Sequence, residues 1–243
     1  MFKEQLLYYS LKYVGDYAKI RQAIIHNEPF KTIEYNGKYL CILENSYPLS
    51  LRSLKQAPFI IYYEGNCDLL NQACIGIVGS RKIIPYGKAM TELWAKTMNQ
   101  KYVIVSGLAR GVDTVAHQIA LQGLSTIAVL GCGIEYIYPY ENAELYRLIK
   151  AKGCIISEYP GKTPPLNHHF PFRNRLIAAL SKSLLVMQAG LKSGSLITVN
   201  YALDLGKDIH CIPYRSTDLE GLGCNVLIQQ GAFVLLNPLE DSI

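Results

Sequence analysis

The chain has 243 residues, half of them hydrophobic and 18% charged, which is enough apolar material for a good-sized core and excludes a disordered chain. Lys and Arg outnumber Asp and Glu by 24 to 19, a formal charge of +5 that implies no partner unless it is unevenly spread. The seven cysteines are odd in number, form no Cys-x-x-Cys pair and sit partly inside apolar runs, which argues for reduced thiols in a cytoplasmic protein and against a metal cluster.

Lys3 and Glu4 open a Tyr-rich segment without a long apolar run, so no signal peptide is expected, and no stretch is long and apolar enough to span a membrane. Leu6, Leu7, Leu11, Val14, Ile20, Ile24 and Ile25 recur at helical spacing and predict one or two helices over 4–26, broken near Gly15-Asp16. Asn36-Gly37, between Thr32–Tyr35 and Lys38–Ile42, predicts a tight hairpin. Tyr47-Pro48 predicts a short helix to about Gln56, and Phe59–Tyr63 a strand. We divide the chain into a small N-terminal helical and hairpin extension, 1–46, and a main domain, 47–243.

From Cys74 onward strands and helices alternate. Strands are expected at 74–79, 102–106, 125–130, 154–157, 183–187, 208–212 and 232–236. Helices are expected at 86–100, 111–122, 141–151, 173–180, 194–205 and 223–230. This grammar specifies an α/β fold with a mostly parallel sheet flanked by helices, in the manner of an extended Rossmann-like domain. Ligands of such sheets lie beyond the carboxyl ends of the strands.

The turns at those ends are Gly79-Ser80-Arg81, Ser106 to Gly111, Gly131-Cys132-Gly133 and Ser193-Gly194-Ser195. Singly, such glycines are best read as tight βα turns. Taken with Arg81, Arg110, Arg173 and Arg175, they point to a phosphate-binding edge. Two stretches, 69–91 and 159–203, carry basic residues and no acid, as a polyanion-facing surface would. Asp113 and His117 stand one helical turn apart, spaced to bind each other or to cap the turn. Dinucleotide-fingerprint, P-loop and nucleophile-elbow motifs are absent.

The segment Asn167-His-His-Phe170-Pro-Phe172-Arg173-Asn174-Arg175 crowds rings, an amide and two guanidinium groups. Rings stack on bases and arginines hold phosphates in single-stranded nucleic acid sites. The plainer alternative buries the two phenylalanines and pairs the arginines with distant acids.

Together these motifs resemble the DprA/Smf family of DNA-processing proteins of natural transformation. The matching residues are Tyr47-Pro48, Ile77 to Arg81 with Tyr86-Gly87, Ser106 to Asp113, Thr126 to Gly131, Ser157 to Pro160, Phe170 to Arg175, Ser193 to Thr198 and Gly223-Cys224-Asn225. The resemblance implies a non-enzymatic protein that binds single-stranded DNA, forms a homodimer and helps load RecA recombinase, with no cofactor, metal or catalytic residue. It implies a DNA site made of Ser80, Arg81, Gly107, Arg110, Phe170, Arg173, Asn174, Arg175, Ser193 and Gly194. Gln188 departs from the family in replacing a common acid, and Tyr214 in replacing a common glycine. The winged-helix-like C-terminal domain of longer members is not expected before Ile243. The rival reading is a nucleotide-processing enzyme related to phosphoribohydrolases, whose Pro-Gly-Gly-x-Gly-Thr-x-x-Glu signature this chain lacks, having no Gly-Gly dipeptide.

Overall fold

The computed structural model describes residues 2–238. The chain runs α1 (Lys3–Lys12), α2 (Tyr17–Ile25), β1 (Tyr39–Cys41), α3 (Leu49–Arg52), β2 (Ile60–Gly65), β3 (Cys74–Gly79), α4 (Pro85–Met98), β4 (Val103–Ser106) and α5 (Val112–Ala120). It continues β5 (Thr126–Val129), α6 (Ala143–Lys152), β6 (Cys154–Ser157), α7 (His169–Leu180), β7 (Leu184–Gln188), α8 (Ser195–Asp204), β8 (Ile209–Cys211), α9 (Leu222–Gln229) and β9 (Phe233–Val234). The α/β alternation expected from Cys74 onward is present.

The strands form one sheet in the order β1-β2-β6-β5-β4-β3-β7-β8-β9. The seven strands from β6 to β9 are parallel, whereas β1–β2 and β2–β6 are antiparallel. Strands β3, β4 and β5 are buried along most of their length, which is why they read as unbroken apolar runs instead of alternating ones. The chain steps outward from β3 to β6 on one side, then returns to place β7 on the other side of β3. The β3–β7 boundary is therefore the topological switch point, where successive crossovers part and leave a crevice.

Helices cover both faces. Leu176, Ile177 and Leu180 of α7 join a large apolar cluster with β3, β4 and β7. On the other side Leu6 and Leu7 of α1 and Cys41 of β1 share a cluster with Ala128, Leu130, Leu145 and Ile155. The first 46 residues thus contribute directly to one layer of the core.

The expected hairpin at Asn36-Gly37 does not form. Strand β1 pairs with β2 instead, Tyr39 opposite Tyr62 and Cys41 opposite Ile60. Thr32–Tyr35 has no ladder, and Tyr35 is held by ring contacts with Tyr39 and Tyr62 at 5.9 and 5.4 Å. The helix expected to run to Gln56 ends at Arg52. Helix α7 begins four residues earlier than expected, because Pro171 falls in its first turn, where a missing N–H leaves no bond unmade.

Strand β1 is an edge strand whose outward groups at Cys41 are taken. Glu44 accepts from the Cys41 N–H at 2.7 Å and donates its own N–H to the Cys41 carbonyl at 2.9 Å, while Lys3 binds its carboxylate at 2.8 Å.

Candidate nucleic-acid interface

Strand β3 ends in a register shift between Val78 and Gly79, which pairs with Gln188 of β7. Gly79 has to be glycine: a Cβ there would stand 2.6 Å from Val112 and 2.9 Å from the Gln188 carbonyl. Gly111, at φ +76°, starts α5 with its backbone pressed against Ser80 and Arg81. These close approaches open a cavity of about 520 Å³ at the β3–β7 boundary.

Seven of the expected site residues meet at that cavity: Ser80, Arg81, Phe170, Arg173, Asn174, Ser193 and Gly194. Gly107 and Arg110 line a smaller, adjoining cavity that shares Arg81, Phe170 and Arg173 with the first. Arg175 is not brought there. Its side chain is 3% exposed and binds both carboxylate oxygens of Glu158 and the Gln56 carbonyl. The expectation that Arg81 and Arg175 line one pocket is therefore corrected. Facing Glu158, Arg175 fits the plainer alternative of an arginine paired with a distant acid.

The other arginines divide by environment. Arg173 is buried and donates to the carbonyls of Gly107, at 2.9 Å, and Val129. Burial lowers its pKa to about 10, and the nearby Asp113 opposes that shift. It braces the wall between β4 and β5. Arg110 is exposed and pairs with Glu141 at 2.5 Å. Arg81 is exposed, and among the described residues no acid pairs with it; its guanidinium carbon lies 5.6 Å from the centre of the Phe170 ring. Arg81 is thus a cation at the cavity left for a ligand, and Lys82, exposed and unpaired with any acid among the described residues, lines the same cavity.

Phe170 is half-buried, with one side of its ring over Gly131, where a Cβ would come within 2.7 Å. The Tyr138 ring lies 5.5 Å away, tilted by 44°. Tyr138 borders both cavities, and no sequence pattern had singled it out. Asn174 accepts a bond from Arg173 at 3.2 Å. Ser193 and Ser195 join hydroxyls at 2.7 Å where α8 starts, and the first amides of the helix are met locally, Ser195 by the Ser193 hydroxyl at 3.4 Å, Leu196 by the Ser193 carbonyl at 3.1 Å and Ile197 by the Gly194 carbonyl at 3.3 Å, so the positive end of the helix dipole is what α8 brings to the cavity.

Asp113 and His117 do not bind each other. Asp113 accepts from the amides of Gly107 and Ala109 at 3.1 and 3.2 Å, so it does cap the turn. His117 meets the Thr126 hydroxyl at 2.7 Å. Burial raises the Asp113 pKa to about 6 and lowers that of His117 to about 3.

A profile of the DNA recombination-mediator protein A family matches residues 38–242. DNA processing protein DprA of Streptococcus pneumoniae is 43% identical over 192 residues, covering 79% of this chain and 68% of that protein. Protein Smf of Escherichia coli is 40% identical over 198 residues, covering 80% of this chain and 53% of its own length. The chain thus spans from about half to two thirds of these relatives.

The solved structure of the S. pneumoniae protein superposes with a TM-score of 0.84 at 34% identity, covering 100% of this chain and 94% of that one. DNA processing protein A of Helicobacter pylori, a structure described for its single-stranded DNA binding mode, superposes with a TM-score of 0.76 at 34% identity, covering 85% and 95%. The fold, the order of the motifs and these matches make the chain a member of the DprA/Smf family of DNA-processing proteins.

Proposed function

We propose that this chain binds single-stranded DNA at the β3–β7 crevice, without reading base sequence and without catalysing a reaction. The observation that carries this reading is the pairing of a free, exposed cation with an aromatic face: Arg81 beside the half-buried Phe170 ring, at the mouth of a cavity headed by α8. Arg81 supplies a phosphate contact and Phe170 a stacking surface, with the positive end of the α8 dipole at the same cavity. Ser80, Asn174, Ser193 and Gly194 shape the pocket around them, and Arg173 braces it.

The non-catalytic reading has its own support. Among the described residues Asp113 is the one acid bordering the large cavity, and its Oδ2 is already engaged by two backbone amides as the cap of the turn after β4.

A role in natural transformation, protecting incoming strands and helping to load RecA recombinase in the cytoplasm, is carried over from the family resemblance. Among the described residues no helix is long and apolar enough to cross a membrane. Homodimerisation belongs to the same reading. It is supported by Leu219, Phe233 and Leu236, exposed near the C-terminal edge, whereas Ile212 is core. Light scattering at micromolar concentration checks it, and a monomer mass counts against it.

Fluorescence anisotropy with labelled single-stranded and duplex DNA of the same sequence tests the central proposal. Tighter binding of the single strand, weakening as salt rises, is the expected result. Equal affinity for both forms, or binding indifferent to salt, overturns it.

A further inference from the structure

We propose that Gln188 positions Arg81 for its DNA phosphate, acting as a neutral amide clamp on the loop that joins β3 to α4; this rests on the single-stranded DNA reading above. The loop carries Arg81 between Ser80 and Lys82, and three hydrogen bonds from one residue of β7 fasten it. The Ser80 N–H donates to the Gln188 main-chain carbonyl at 2.8 Å. The Gln188 side-chain Nε2 donates to the Lys82 carbonyl at 2.9 Å, and its Oε1 accepts from the Ile84 N–H at 3.0 Å. The anchors thus fall at positions 80, 82 and 84, on both sides of the arginine.

Chemistry fixes the orientation of the amide. An N–H can be met only by its oxygen and a carbonyl only by its nitrogen, so both halves of the carboxamide are used. The side chain is wholly buried. It has no room to swing: a Cβ on Gly87, in the first turn of α4, would come within 2.2 Å of Oε1. The hydroxyl of Ser80 tightens the same turn, donating to the Lys82 carbonyl at 2.9 Å and accepting from the Lys82 N–H at 3.1 Å.

The need for this clamp lies in what Arg81 lacks. Among the described residues no acid holds its side chain, whose guanidinium carbon lies 5.6 Å from the centre of the Phe170 ring. A phosphate ligand of this kind is preorganised by its backbone or not at all. A carboxylate at position 188 could still accept from Ile84, but it would set oxygen against the Lys82 carbonyl. It would also bring negative charge to a crevice whose two flanking stretches, 69–91 and 159–203, contain no acid. An amide fastens the loop and leaves the positive field intact.

The test uses the full chain, a labelled oligothymidylate, and Gln188→Glu and Gln188→Leu, each alone and combined with Arg81→Ala. We expect each single change to weaken binding roughly 3- to 30-fold, inside the range for coupled neighbours. In the Arg81→Ala background neither should weaken it further, because the phosphate interaction they serve is already absent. Equal weakening in both backgrounds, or unchanged binding by folded Gln188→Glu, overturns the proposal. Thermal unfolding of every variant separates an effect on stability from an effect on positioning. Should the variants fail to fold, hydrogen exchange on the parent decides: protection of the Ile84 amide comparable to that in β3 is expected, and exchange as fast as an open loop overturns the clamp. A parent that does not bind the oligonucleotide defeats the DNA reading itself; a parent that binds while the cycle shows no coupling defeats the clamp alone.

Discussion

Arg175 in α7 grips both carboxylate oxygens of Glu158, at 2.8 and 2.7 Å, with the two side chains only 3% and 5% exposed. Burial raises the Glu158 pKa, and Arg175 opposes that shift. Removing one member of such a pair strands the other charge in the core, at a cost of about 3–5 kcal/mol. Arg175→Ala should therefore lower stability by that order in chemical unfolding and leave DNA affinity of the folded fraction intact. Weaker affinity with unchanged stability would return Arg175 to the binding surface.

Phe170 is expected to behave as a ligand-facing ring. Phe170→Ala should weaken single-stranded binding by about 1–3 kcal/mol, the range for one stacked base. Its stability cost should fall below the roughly 3–5 kcal/mol of a fully enclosed phenylalanine, since the ring is half-buried. A strongly destabilised variant that binds normally once folded would remove the stacking role.

Arg81→Ala should weaken binding and flatten its salt dependence. A cation that no longer meets a phosphate of a single strand reduces the log–log slope by about 0.7. A titration at several salt concentrations measures this, and an unchanged slope means that Arg81 meets no phosphate.

The buried Asp113 and His117 should tilt stability in opposite directions. From about pH 4 to 6 the unfolded Asp113 has released a proton that the folded one keeps, so its contribution falls as pH rises. From 6.5 down to about 3 the unfolded His117 takes up a proton that the folded ring refuses, so its contribution is lost as pH falls. In the parent the two slopes largely cancel across their shared window. Asp113→Asn should expose the histidine slope, with stability dropping on acidification by up to about 1.4 kcal/mol per pH unit. Urea titrations at several pH values check this; a variant as flat as the parent would refute it.

The strands from β3 to β8 were legible because each is a short apolar run punctuated by glycine and followed by an amphipathic helix. The segment at Thr32–Ile42 misled because alternation marks a strand without naming its partner. Lys38–Ile42 turned to β2, and Thr32–Tyr35 was left to ring packing. Phe170, Arg173 and Asn174 were legible as a local crowd of functional groups. The partner of Arg175 was not, since Glu158 lies 17 residues away and only the fold brings them together. Tyr138 gave no periodic or compositional signal; it matters because the segment after β5 folds back against Phe170.

The treatment of Cys41 by Glu44 and Lys3 bears on how the molecule avoids sticking to itself. An open sheet edge invites strands from other molecules, and copies added at both edges grow into a fibre. At β1 the outward N–H and carbonyl of Cys41 are already taken by Glu44, and Lys3 with Glu44 sets charge where an incoming strand would have to dock. Whatever joins beyond β9, a strand docking at β1 meets satisfied groups and charge at Cys41, which works against growth through both edges at once.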